Sequence, residues 1–302
     1  MDDGALKMGV TTFREARQRL IGLIRQTKEE LGGLNPTGYQ GPHDPLAKHF
    51  GIKIEERSLT FDFGNYITAN PPSRPTPIII LDTKAAGDVH LNFTYYHEIS
   101  HHIIRMDDDL YAFLDNIAQQ KNDFTALIDR FANIGAAEFL IPSDDLSLFL
   151  QEKGFGVQHI PELDERYPAS NPAIAIQLAQ CATHLCFVVL CEYGHLSTGD
   201  VAQRSLVEVP SDNQPKLYVR YSSNSPGQEK YSIASYSIIP KNHILSLAFQ
   251  NQQFIKGRDR IPFKSGKGWN VDCEALYYKG RVYGVFNTSR PDPPSSQQPR
   301  LF

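Results

Sequence analysis

The chain reads as an α+β protein made of two unlike halves. Helical apolar periodicity dominates as far as residue 185, with short β-rich runs between the first helix and the later ones. Beyond residue 186, β-rich runs separated by turn residues take over. The charge divides in the same way. Residues 1–202 hold 16 Lys/Arg against 27 Asp/Glu, whereas residues 203–302 hold 14 against 7, within a net charge of -4. Such asymmetry points to two domains with different partners, the second preferring something anionic; the plainer reading is a basic face that complements the acidic half.

Taken in order, an amphipathic helix is expected over residues 12–31, with Leu20, Ile21, Leu23 and Ile24 as its apolar stripe and Gly32-Gly33 as its stop. A loop follows over 35–45. β-rich runs come at 52–55, 59–68 and 78–81, the last two separated by the turn Asn70-Pro71-Pro72-Ser73. Helical patterns resume at 91–106, 123–140 and 144–153, so residues 1–142 read as one α+β domain. Residues 143–185 are helical pieces broken at Gly154, Gly156 and Pro168, a small helical linker unit. Strands are expected at 187–192, 216–222, 231–239 and 282–287, which assigns 186–290 to a second domain. The Pro-rich tail 291–302 is expected to be disordered.

With 302 residues, 41% apolar and 21% charged, the composition excludes wholesale disorder and fibrous classes. No apolar run approaches the roughly 18 residues that span a bilayer. The opening Met1-Asp2-Asp3-Gly4 has no signal-peptide character, and Cys181, Cys186, Cys191 and Cys273 form no Cys-x-x-Cys pair. A reducing cytoplasm is the expected address, with Cys181, Cys186 and Cys191 acting as buried small hydrophobes.

One chemical motif stands out: His97-Glu98-Ile99-Ser100-His101, an H-E-x-x-H sequence within helical periodicity. Residues four apart on a helix share a face, so both imidazoles can hold one Zn²⁺ at about 2.1 Å. Glu98 then reaches the water beside the ion and serves as general base. Composition alone gives about 0.015 such motifs in a chain like this one, so chance is a poor explanation.

A third ligand is needed. Asp107 lies six residues after His101, but the position that would have to turn the chain back is Ile104, a β-branched residue that resists positive φ. The next helical segment offers Asp129 and Glu138, nine residues apart and therefore on opposite faces. Asp129 shares its face with Ala132, Asn133 and Ala136, small residues that allow close helix approach, and is the choice. His102 points about 100° away from His101 and is expected to be an outer or surface group.

Two stretches carry a family resemblance: Phe93-Thr94-Tyr95-Tyr96-His97-Glu98-Ile99-Ser100-His101, and the run from Ile128 to Pro142 that contains Asp129-Arg130-Phe131-Ala132-Asn133-Ile134-Gly135-Ala136-Ala137-Glu138. On these motifs the chain resembles the ImmA/IrrE metallopeptidases. Asp129 stands where that family usually has Glu, one methylene longer, so the two helices must come closer here. The resemblance implies a zincin-like metallopeptidase domain over 1–142 whose zinc is held by His97, His101 and the acidic residue. It also implies a C-terminal GAF-like α/β sensor domain over 186–290, resembled at Val219 to Ser223, Lys230 to Ser235 and Ile261 to Gly266. The implied activity is cleavage of a helix-turn-helix transcriptional repressor that derepresses a DNA-damage, stress or antiviral defence operon; IrrE-type and CapP-type proteins are similar in layout. The helical unit could itself form a helix-turn-helix, but its last helix (172–182) has no Lys or Arg, so it reads as structural or as a repressor-docking surface.

The densest basic cluster holds Lys256, Arg258, Arg260, Lys264 and Lys267, with Phe254, Phe263 and Trp269 nearby. Cations that track phosphates, interleaved with aromatics on which bases stack, suit sequence-tolerant binding of single-stranded DNA. Single-stranded DNA or another anionic ligand is therefore the expected activator. The competing reading places the aromatics in the core and the cations on a solvated rim.

Overall fold

A computed structural model of the chain describes residues 10–33, 38–60, 63–84, 87–121, 124–196, 214–228, 231–263 and 268–289. It is a mixed α+β architecture with two sheets, and its contacts divide it into two compact units. The first comprises Met1–Pro142 with Tyr167–Ser170; the second comprises Ser143–Arg166 with Asn171–Phe302. The tail 291–302 lies outside the described residues.

In the first unit, helix α1 (Phe13–Glu30) starts with a reciprocal cap: the Thr12 side chain accepts from Glu15 N, and the Glu15 carboxylate accepts from Thr12 N. Its stripe of Ala16, Leu20 and Ile24 is fully buried. After the short helix α2 (Pro45–His49) comes a three-stranded sheet ordered β1-β3-β2, with β1 at Lys53–Glu56, β2 at Gly64–Ile67 and β3 at Ile78–Leu81. The all-apolar β3 takes the centre, parallel to β1 and antiparallel to β2, which leaves β2 at an edge.

Three helices follow: α3 (Asp88–Met106), α4 (Asp108–Lys121) and α5 (Phe124–Leu140). Helix α4 lies outside the helical segments expected from sequence. Asp107 closes α3 and caps α4, accepting from Leu110 N at 2.9 Å, and Leu110, Phe113 and Leu114 bury the new helix.

The second unit places α6 (Ser143–Lys153), a 3₁₀ turn (Val157–His159), α7 (Ile160–Arg166) and α8 (Asn171–Gln180) together with a five-stranded antiparallel sheet. That sheet is ordered β5-β4-β8-β7-β6, from β4 (Cys186–Gly194), β5 (Lys216–Asn224), β6 (Phe254–Arg260), β7 (Asn270–Tyr278) and β8 (Arg281–Asn287). One face buries Phe187, Val189, Val271, Ala275 and Phe286 under helix α9 (Ile244–Asn251). Gly284 leaves the space that Leu245 fills, since a Cβ there would lie 2.5 Å from Leu245 Cδ2. The other face carries Val188 and Leu190 against Pro172, Ala175 and Ile176 of α8. Cys186, Cys191 and Cys273 are buried within the sheet, and burial pushes the Cys186 and Cys273 thiols up to about 12.

The strand expected over 231–239 does not form. Tyr236 takes a positive φ of 65°, and the segment only brushes the outer edge of β5, through Tyr236 N to Val219 O, Val219 N to Ser237 O and Ile239 N to Leu217 O. That contact covers one edge of the sheet. Among the described residues, no helix is long and apolar enough to cross a membrane.

Candidate metal centre

Helix α3 brings His97 and His101 onto one face, and α5 runs alongside it. The two helices touch backbone to side chain: a Cβ on Gly135 would fall on Ser100 Oγ and lie 2.7 Å from Ser100 Cβ. Ser100 turns its hydroxyl inward to Tyr96 O at 2.7 Å, and Ala132 and Ala136 add no bulk to the seam. At this spacing the short carboxylate of Asp129 reaches across. His97 Nε2 and His101 Nε2 lie 3.0 Å apart, and Asp129 Oδ1 is 3.3 Å from His101 Nε2. One donor atom from each of the three residues fits within 4.8 Å of the others. Donors on a tetrahedral ion with bonds of 2.0–2.1 Å stand about 3.3 Å apart, so this set fits a zinc-sized divalent cation.

The electrostatics suit ligation as well. Burial is the main cause that holds His97 below the ordinary imidazole range, partly opposed by its bond to Asn133 and the charge of Asp129. Burial, then neighbouring His97 and Arg105, drives His101 down to about 3. Both rings are therefore neutral near pH 7 with a lone pair to offer, and the His101–Asp129 contact is not an ion pair. His97 Nδ1 lies 2.9 Å from Asn133 Oδ1, so Nδ1 carries the hydrogen and Nε2 faces the other donors. Asn133 sits one helical turn beyond Asp129 on α5, a spacing that could have flagged it as the orienting partner.

Glu98 lies on the flank of α3 that faces strand β2 and is 6% exposed. Gly64 approaches so closely that a Cβ there would sit 2.9 Å from Glu98 Oε1. Two residues on, Tyr66 stacks parallel to His101 at 6.5 Å between ring centroids and its hydroxyl meets His102 Nδ1 at 2.9 Å. His102 is thus a buried neighbour of the site, driven down to about 4 by desolvation. Nothing in the sequence pattern singled out Gly64 or Tyr66, because both act through a strand far from the motif in the chain.

The rival acids are engaged elsewhere. Asp107 is paired with Arg19 at 2.7 Å besides capping α4, and Glu138 is buried with Arg25 at 3.7 Å.

Of the C-terminal basic cluster, Lys256, Arg258 and Arg260 alternate along one exposed face of the edge strand β6. Lys256 bonds Glu274 at 2.9 Å and Arg258 lies 3.5 Å from Asp272, both acids being the cross-strand partners on β7. Arg260 closes β6, its guanidinium against Gly268. Trp269 packs on Tyr231 and Phe263 at the margin of the sheet core. Lys264 and Lys267 lie outside the described residues.

Comparison with known proteins agrees with the site. Residues 47–178 match the family profile described as the IrrE N-terminal-like domain of the M78 peptidases. The chain is 26% identical over 208 residues to the radiation response metalloprotease IrrE of Deinococcus radiodurans, covering 69% of this chain and 62% of that protein, less than two thirds of its length. It is also 26% identical over 229 residues to the protein of the same name from Deinococcus deserti, covering 74% and 78% respectively. A solved structure titled as a Mycobacterium tuberculosis transcriptional regulator shares the fold at 10% identity, with a TM-score of 0.52 over 92% of this chain and 82% of that one. With the motif, the donor geometry and these matches in hand, the chain is similar over residues 47–178 to the IrrE-like M78 metallopeptidases.

Proposed function

We propose that this protein is a zinc-dependent endopeptidase that cleaves a helix-turn-helix transcriptional repressor and so derepresses a stress or defence operon in the cytoplasm. One observation carries the reading: two neutral imidazoles and a carboxylate from the neighbouring helix converge within 4.8 Å, with Glu98 next to the first imidazole. His97, His101 and Asp129 would hold the ion, and Asn133 fixes the tautomer of His97. When bound there, zinc supplies Lewis acidity to the scissile carbonyl and lowers the pKa of water toward neutrality. Glu98 takes the proton from the attacking water and returns it to the leaving amine. Its burial against β2 fixes the direction of its carboxylate.

The role in the names of the two relatives, radiation response, supports the stress-linked part of the proposal. The sheet of the second unit, covered by helices on both faces, supports a GAF-like sensor role. Base stacking on Trp269 draws no support from its packed position, so single-stranded DNA is not part of the proposal; an anionic effector for this unit remains the expectation.

The test is Glu98→Gln. It should keep one equivalent of zinc by elemental analysis yet cleave the helix-turn-helix repressor substrate about 10²- to 10⁴-fold more slowly on a gel time course. Derepression at the wild-type level with no cleavage by either the wild-type protein or that variant would make the protein a docking regulator instead of an enzyme.

A further inference from the structure

We infer that Gly64 is a positioning residue for the general base: strand β2 aims Glu98 by laying bare backbone against its carboxylate. The inference rests on the proteolytic reading above. Positions alternate along a strand, so Gly64 and Tyr66 both face α3 while Asn65 between them is exposed. Tyr66 holds this strand to the helix through its hydroxyl on His102 Nδ1, and the His102 ring is packed in turn against Phe50 at 5.1 Å. The distance between β2 and α3 is therefore set by groups other than Glu98.

At that distance only a hydrogen fits at position 64. A Cβ would overlap Thr94 Cγ2 and stand 2.9 Å from Glu98 Oε1 and 3.2 Å from Glu98 Cγ. Gly64 does not have a positive φ, so the requirement is for space and not for backbone freedom. Thr94 is 9% exposed, and its hydroxyl bonds His90 O at 3.0 Å, which ties its rotamer. Of the two side chains met, Glu98 presents the far end of the longer and more flexible one, so its carboxylate moves aside. Any side chain at position 64 thus turns the base away from its bearing while leaving His97, His101 and Asp129, which lie on α3 and α5, in place.

Gly64→Ala is the experiment. Misplacing a reacting group by about 1 Å can cost about 10²-fold, so kcat on the repressor should fall by about that factor with KM unchanged. Zinc affinity, measured by competition with a chromophoric chelator, should stay at the wild-type value. A crystal structure of the metal-free variant should show the Glu98 carboxylate displaced by about 1 Å with the three donor residues unmoved. In the Gly64→Ala/Glu98→Gln double variant the loss should be no greater than in Glu98→Gln alone, because the two changes act on one group. If Gly64→Ala alone is too unstable, adding Thr94→Ala removes the methyl that is struck first and leaves the contact with Glu98. Wild-type kcat with Glu98 in place overturns the inference, and so does an additive loss in the double variant. Should Glu98→Gln itself cleave at the wild-type rate, Glu98 is not the general base and the inference falls with it; should the wild-type protein not cleave at all, the proteolytic reading fails, and Gly64 is then judged on the displacement of Glu98 alone.

Discussion

The α3–α5 seam and the β6–β7 edge both collect titratable side chains, and they treat them in opposite ways. At the seam, Gly135, Ser100, Ala132 and Ala136 remove bulk, the helices close up, and two imidazoles and a carboxylate face one another. At the sheet edge, Lys256 and Arg258 each meet a carboxylate across the strand, and Trp269 turns toward the core. Both clusters look reactive as lists of residue types. What separates them is that the seam turns three donor atoms toward one point, whereas the edge sets each cation beside its own carboxylate on an exposed face.

Breaking the seam side should have the largest effect. His101→Ala is expected to abolish stoichiometric zinc binding and cleavage together, by elemental analysis and gel assay, because two donors do not make a zinc site. Gly135→Ala comes next. It forces α5 away from Ser100, which should lower stability by about 1–3 kcal/mol in urea unfolding and weaken zinc binding as well. Asn133→Ala frees the His97 ring and should weaken zinc binding about 10- to 100-fold with little change in unfolding.

Acid should act on the same region. His101 and His102 have folded-state values depressed to about 3 and 4, so below the unfolded value of about 6.5 the unfolded chain takes up more protons than the native one. Stability of the metal-free protein is then fully present above about pH 6.5 and declines as the pH falls toward 3–4. A pH series of urea midpoints checks this, and a flat profile over that range contradicts it.

The sheet edge should respond least. Lys256→Ala strands the Glu274 carboxylate, which is 13% exposed with Oε2 already lacking a hydrogen bond, and should cost about 1–3 kcal/mol. Arg258→Ala breaks a pair of exposed groups and should stay within about 0.5 kcal/mol. Reversal of that order would mean that the two pairs differ in some way other than burial.

The elements that carry the site were the more legible ones. Helices α1, α3 and α5 each have a long apolar period, and α1 has a reciprocal cap written in Thr12 and Glu15, so their extents follow from local rules. The convergence of His97, His101 and Asp129 could be anticipated because it depends on two helix faces and on small residues between them. Helix α4 went unread because Asp107 invites attention as a metal ligand when it is in fact its cap. Helix α9 begins at His243, whose Nδ1 accepts from Leu245 N at 3.2 Å; histidine is outside the usual capping set and gives no start signal. Strand β6 reads as a polar cluster, with Ile255 alone as a large apolar residue turned to the core, and it becomes a strand only against β7. The role of Gly64 is invisible without the fold, since an unstrained glycine announces nothing about the neighbour it admits.

The missing methylene of Asp129 and the missing side chain of Gly135 are two halves of a single dimension. A longer arm at 129 reaches too far across a gap that Gly135 keeps narrow; a wider gap leaves the present arm short. Neither position is therefore free to drift alone. A lineage that lengthened the acid would have to thicken the seam at the same time, and paired replacement of Asp129 by Glu with Gly135 by Ala is the route by which one workable span could pass to another.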